Sequence, residues 1–332
     1  MNKQKRVMII DALNLFIRNF IVDPSIGTNG NPVGGVKGSL KSIQKLTRQI
    51  KPDEIVVVWD GPGGSRKKKS ILKEYKDGRK PIRLNRNIEN MTEDQESNNK
   101  VWQQFRLFEY LNQMPIIQIL EDQIEADDLI AFITKCDKYK NWNKIIVSSD
   151  KDFLQLCDDK TLLYRPIQDK IETVVSVVSE FQIHPNNFAL SRSIAGDKSD
   201  NIDGIGGAGL KSVAKYLPFL VESKSYLISD IEIFCQEKIL EKAKVKFYQS
   251  VINNLDKIKI NYSLMQLYSP NISVQVSQKM RYVTDNFVPE MNLTHFQKMT
   301  VEDGFSEINL LEMYAMMRRI VRDHNQEKNE NA

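Results

Sequence analysis

Cysteine and histidine are scarce in this chain of 332 residues. The three cysteines (Cys136, Cys157, Cys235) and three histidines (His184, His295, His324) are scattered and form no CxxC pair. An odd, dispersed cysteine count excludes a disulfide framework and a cysteine zinc site, and points to a reducing compartment. Long apolar runs are also missing, and no window approaches the ~20 residues that span a bilayer. The opening MNKQKRVMII has a basic start, but its apolar stretch ends at Asp11, too short for a secretory signal. These absences lead to the expectation of a cytoplasmic protein without membrane contact. Nor is there an excess of one charge, since 47 Lys+Arg against 43 Asp+Glu leave only +4. With 41% hydrophobic and 27% charged residues the chain is ordinary globular material, which excludes wholesale disorder. At roughly 100–200 residues per domain, two or three domains are expected.

The charge that is present is unevenly placed. Arg66, Lys67, Lys68, Lys69, Lys73, Lys76, Arg79, Lys80, Arg83 and Arg86 form a basic run interrupted only by Glu74 and Asp77. Such a run is either a solvated arm or a contact for a polyanion. Around it, short β-branched stretches alternate with amphipathic ones, which predicts a parallel sheet with helical crossovers. Strands are expected at 6–10, 55–59, 116–120 and 144–147, with an edge strand at 162–164. Helices are expected at 36–49, 101–111, 123–136 and 307–321. The segment 61–100 is too long for a simple crossover, and loops of that length are functional or disordered.

Acidic residues recur where these strands end. Asp11 closes the first strand and Asp60 the second. Glu125, Asp127 and Asp128 open a helix, Asp150 and Asp152 follow the fourth strand, and Asp197 and Asp200 precede a glycine-rich turn. Open α/β sheets bind ligands at the carboxyl edge, where the crossover loops converge. Each position has an ordinary alternative: a strand-end Asp can be a turn former or a helix cap, and Asp152 could cap a short helix at 153–157. Nine carboxylates at one edge would raise each other's pKa, and a pair of divalent cations would remove that penalty. All-oxygen ligands without His or Cys favour Mg²⁺, with Mn²⁺ as substitute, over Zn²⁺. Two such ions about 4 Å apart can activate water and stabilise the leaving oxygen of an in-line phosphoryl displacement.

The motifs VMIIDALNLFIR, VVWDG, EADDLIA, SSDKDFLQL and GDKSDNIDGIGGAGLKSVA, in this order, resemble the flap endonuclease/5′→3′ exonuclease family, nearest its phage RNase H members. The resemblance covers about residues 6–216. It implies an α/β fold with a mostly parallel central sheet, a PIN-like nuclease core at 1–185 and a basic helical arch inserted at about 61–100. A helix–three-turn–helix region at 186–222 and a mainly helical part at 223–332 would follow. It further implies one metal group of Asp11, Asp60, Glu125 and Asp127, and a second of Asp150, Asp152, Asp197 and Asp200, with Asp128 as an additional member. Lys76 and Arg79 match the arch motif whose bases approach the scissile phosphate.

Other expected nucleic-acid contacts are Arg18, Lys37, Arg66 and Lys68, together with Gly204, Gly206, Gly207, Gly209 and Lys211. Glycine-rich backbone before a helix lets N–H groups approach phosphates, and such contacts are independent of base sequence. By resemblance that turn also carries a monovalent cation, K⁺. The expected substrates are branched or nicked duplex DNA, 5′ flaps and RNA–DNA hybrids. The expected role is RNA primer removal in phage replication, in the host cytoplasm, by a monomer that recruits a single-strand-binding protein or sliding clamp. Two alternatives stand beside this reading: a non-catalytic junction-binding protein of the same fold, and a PIN-like ribonuclease.

Overall fold

The computed structural model describes residues 4–89, 91–241, 245–305 and 308–330, with side chains to 326. Its centre is a sheet of β1 (Arg6–Asp11), β2 (Glu54–Trp59), β3 (Ile117–Leu120), β4 (Asn143–Val147), β5 (Thr161–Arg165) and β6 (Lys170–Glu172). The spatial order is β3-β2-β1-β4-β5-β6, with β1 to β5 parallel and β6 antiparallel at the edge. Met8, Ile10, Ile55 and Val57 enter one core, while Val7, Ile9, Val56 and Val58 enter another on the opposite face. Burial on both faces is why these strands read as continuous apolar runs. The register sets Asp11 beside Val58 of β2 and Ile10 beside Val147 of β4, so β1, β2 and β4 end together. Residues 162–164, expected at the edge, lie inside β5. Asp169 at φ 48 turns the chain back, and the three-residue β6 is too short to show an alternation.

Helices α1 (Ala12–Val22), α2 (Gly34–Ile50), α3 (Arg66–Ile71), α4 (Glu93–Leu111) and α5 (Ala126–Thr134) belong to the first half. A Cβ on Gly35 would stand 2.6 Å from the Phe16 ring, so that glycine lets α1 and α2 touch. α4 begins well before the expected 101, because Thr92 and Gln95 form a capping box ahead of a polar first two turns. α5 is shorter than the expected 123–136. Gln123 sits at φ 60, a left-handed backbone that no helix interior accepts. Within the expected insertion the described residues hold α3, then turns, then the start of α4 at Glu93.

The second half adds α6 (Val174–Phe181), α7 (Phe188–Ala195), α8 (Leu210–Tyr216), α9 (Ile228–Leu240), α10 (Lys246–Asn253), α11 (Leu255–Met265), α12 (Val274–Asp285), α13 (Leu293–Glu302) and α14 (Leu310–Glu330). A hairpin of β7 (Gly196–Asp197) and β8 (Ile202–Asp203) joins α7 to the turn before α8. Helices α9 to α11 share a core with α7 and α8 through Leu190, Val213, Cys235, Val251 and Ile258. Met280 of α12 joins one face of the sheet, and Phe296, Met313 and Met317 of α13 and α14 join the other. Glu307, where the last helix was expected to begin, lies outside the described residues.

Candidate active site

Each acidic side chain is placed by a local backbone need as well as by the sheet. Asp11 caps α1, its Oδ1 accepting from Asn14 N at 3.0 Å, while its Oδ2 accepts from Ser148 Oγ at 2.9 Å just past β4. Asp60 Oδ1 accepts from Ala126 N at 2.9 Å and so ties the end of β2 to the start of α5. Asp150 caps the 3₁₀ turn Lys151–Leu156 through Asp152 N at 2.8 Å. The cap expected of Asp152 therefore belongs to Asp150, and the Asp152 side chain meets Arg192 instead. Asp197 lies in β7 and Asp200 at the hairpin tip.

Burial and mutual repulsion disturb the charges of this group. Burial pushes Asp11 up to about 7; its bond from Asn14 works against this, while Asp60 and Asp150 add to it. Burial likewise raises Asp127, reinforced by the charges of Asp150 and Asp11. Asp150 is raised by burial and by Asp200 and Asp197, and Asp152 by burial and then Asp150, to about 7. Asp11, Asp60 and Asp150 stand at or just past the ends of β1, β2 and β4, and Asp152, Asp197 and Asp200 act electrostatically on that end of the sheet. Asp128 stands apart, in a small cavity lined by Lys67, Lys68, Ser263 and Asn271.

Glu125 behaves oppositely. Burial would raise it, yet Lys68 and Lys76 hold it down at about 2. Lys68 Nζ lies 2.6 Å from one carboxylate oxygen and Lys76 Nζ 2.5 Å from the other, with Tyr75 Oη donating to Oε2 at 3.2 Å. Tyr75 is buried beside Ile202, Leu264 and Met265, so its ring serves packing. The same stretch grips the hairpin tip. Lys76 N donates to Asp200 O at 2.9 Å, Arg79 pairs with Asp200, and Asn201 Nδ2 donates to Glu74 O at 3.0 Å. The start of the insertion thus bridges both carboxylate groups.

Arg192 was not singled out in the sequence, where a lone arginine in an apolar helix carries no signal. It pairs with Asp152 at 3.0 Å and with Asp197. Lys37, expected near phosphate, is buried and donates to Ser25 Oγ at 2.8 Å; its early place in α2 turns it towards that loop. Arg18 is half-buried, with Nη1 making no hydrogen bond, and Arg66 is exposed. Gly206, Gly207 and Gly209 are exposed and have nothing within 4 Å of an added Cβ. Gly204 differs: its Cβ would stand 2.2 Å from Ala195 O, so it is a packing glycine. Lys211 is exposed in the first turn of α8.

Among the described residues no three acidic, histidine or cysteine side chains close on a common ion position as they stand. Lys68 and Lys76 pair with Glu125, Arg79 with Asp200, and Arg192 with Asp152 and Asp197. The donor set is still that of a hard divalent cation: oxygen only, buried and mutually repelling.

The sequence pattern of the 5′-3′ exonuclease N-terminal resolvase-like domain matches residues 6–183, more than half of the chain. The chain belongs to the 5′-3′ exonuclease family. It is a nuclease by that membership. A 5′-3′ exonuclease of Aquifex aeolicus is 26% identical over 281 residues, 83% of this chain and 86% of that protein. DNA polymerase I of Bacillus subtilis is 27% identical over 249 residues, 73% of this chain but 26% of the polymerase. Among solved structures, the T5 D15 protein co-crystallized with metal ions aligns with a TM-score of 0.63 and 18% identity, over 90% of this chain and 98% of that one. The catalytic core of Rad2 in complex with DNA substrate aligns with a TM-score of 0.56 and 15% identity, covering 95% and 92%. Likeness at these identities establishes the shared fold. No helix among the described residues of this exonuclease is long and apolar enough to cross a membrane.

Proposed function

We propose that this exonuclease hydrolyses phosphodiester bonds of DNA and of RNA paired with DNA from the 5′ end, and cuts near 5′-flap junctions, using two Mg²⁺ ions. The observation that carries the reading is the placement of Asp11, Asp60 and Asp150 at or just past the ends of the adjacent strands β1, β2 and β4, where burial and neighbouring acids raise Asp11 and Asp150. Buried, repelling carboxylates are an unstable arrangement without cations to share. Bound ions would supply water activation and stabilisation of the leaving 3′ oxygen.

Asp11, Asp60, Glu125 and Asp127 would hold the first ion, and Asp150, Asp152, Asp197 and Asp200 the second. Lys76 and Arg79 would leave Glu125 and Asp200 to face the phosphoryl oxygens, where cations stabilise developing charge. Lys68 and Arg66 would follow the strand that carries the 5′ end. Gly206, Gly207 and Gly209 expose backbone, and with Lys211 they would meet duplex phosphates without reading bases. K⁺ at that turn, primer removal in phage replication, a monomeric state and recruitment of a single-strand-binding protein or clamp complete the reading. Support for DNA as substrate comes from relatives: one T5 flap endonuclease structure is a pseudo-enzyme-product complex with DNA and metal ions.

The test is cleavage of labelled 5′-flap, nicked, blunt and RNA–DNA substrates side by side, with Mg²⁺ and with chelator. Cutting that requires Mg²⁺ and a 5′ end is expected, and Asp150→Asn or Asp60→Asn should abolish it while flap binding persists. Binding without any cleavage would leave a junction-binding protein. Cleavage restricted to RNA, with no effect of Lys211→Ala on DNA binding, would leave a PIN-like ribonuclease.

A further inference from the structure

Arg192 reaches the second carboxylate group from helix α7. Its Nη2 lies 3.0 Å from Asp152 Oδ1, its Nε donates to the same oxygen at 3.1 Å, and Nη2 also meets Asp197 Oδ2. The three side chains are only 14%, 16% and 13% exposed, so water screens the contacts poorly. The frame behind them is fixed. Asn261 of α11 donates to Ser193 O and to Asp203 O, both at 2.9 Å, and thereby joins the end of α7 to the hairpin that carries Asp197. Gly196, at φ 78, closes the gap between them, and a Cβ there would stand 2.2 Å from Gly204 N.

This differs from the first group, whose counter-charges Lys68 and Lys76 sit on the insertion and can leave with it. Arg192 sits on a packed helix, and its guanidinium keeps its charge at every pH a protein meets. An incoming ion finds Asp152 and Asp197 already paired with Arg192, while Asp200 is paired with Arg79 of the insertion.

We infer that Arg192 is a positioning residue: it holds Asp152 and Asp197 in the shape of the second ion site and makes that site the weaker of the two. A substrate phosphate would then complete it, because the phosphate brings the negative charge that Arg192 has offset. The inference rests on the two-ion reading above.

The test is Mn²⁺ binding to the full chain without DNA, followed by electron paramagnetic resonance of the free ion, for the unsubstituted protein, R192Q and R192K. Two classes of site are expected in the unsubstituted protein. R192Q should tighten the weaker class by about tenfold and leave the tighter class unchanged, while R192K stays close to the unsubstituted protein. On a flap substrate in saturating Mg²⁺, R192Q should lower kcat by about tenfold or more with KM little changed, and R192K should restore part of it. R192M, which keeps the aliphatic stem, replaces R192Q if that variant does not fold. Two classes that ignore Arg192, or an R192K shift as large as that of R192Q, would overturn the inference alone. A single ion per chain in the unsubstituted protein, both free and bound to the cleaved flap product, would overturn the two-ion reading and the inference with it.

Discussion

Replacing Asp11 by asparagine should stabilise the metal-free protein while destroying its activity. Asp11 is 7% exposed, and burial among other acids lifts its carboxyl from the ordinary aspartate range to about 7. A group raised in the folded state binds its proton more tightly there than in the unfolded chain. Its contribution is therefore complete at low pH and is lost as pH rises through the folded pKa. Roughly three decades of proton affinity, at 1.36 kcal/mol each, set a ceiling of about 4 kcal/mol. Between pH 5 and pH 8 the native protein should lose about 2–3 kcal/mol through this one group. Asparagine is neutral throughout, and its amide oxygen can still cap α1 at Asn14. The variant's advantage over the unsubstituted protein should thus grow by that amount from pH 5 to pH 8, or about 3–4 °C in Tm. Urea or thermal melts in chelator at both pH values measure it. Saturating Mg²⁺ should shrink or reverse the gap, since ion binding stabilises only the protein with the full ligand set. A gap that stays constant with pH, or a variant less stable at pH 8, refutes the claim that Asp11 is held against its own electrostatics.

Three further outcomes follow from named contacts. Lys76→Gln should lower the single-turnover cleavage rate by about 10²-fold, the usual effect of losing one group that stabilises transition-state charge, with flap affinity nearly intact; an unchanged rate would remove Lys76 from the chemistry. Lys211→Ala should weaken duplex binding and reduce the slope of log affinity against log salt by about 1, as expected for one lost phosphate contact. Fluorescence anisotropy over a salt series checks it, and an unaltered slope would place Lys211 off the DNA. Gly196→Ala should destabilise the fold by about 3 kcal/mol or more in urea melts, because the residue is left-handed and the added methyl meets Gly204 N at 2.2 Å. A loss under about 1 kcal/mol would show that the α7 hairpin junction yields, and would weaken the rigid frame ascribed to Arg192.

What the sequence made legible was whatever has a local period or a local signature. The apolar runs of β1, β2 and β4 are consecutive and β-branched, so both their existence and their terminal acids were visible. The capping box at Thr92 and Gln95 was equally local, yet the polar turns it starts lack the apolar spacing that marks a helix, and the first part of α4 was missed. β6 is three residues long and carries no pattern at all. Lys37 illustrates a different limit: its place at the start of α2 was plain, but only the loop packed on that helix turned its ammonium to Ser25.

The order of strands and acids along the chain determined that carboxylates would gather at one edge of a parallel sheet, because alternating β and α segments leave the crossover loops no other meeting place. Which cation faces which acid was decided by tertiary structure alone. Lys76 lies 49 residues from Glu125 along the chain, and Arg192 lies 40 from Asp152. Helical and strand periods relate residues only a few positions apart, so no such pattern spans these separations. Only the docking of the insertion and of α7 against the sheet fixes those pairs, and through them the charge that an incoming ion and its phosphate must meet.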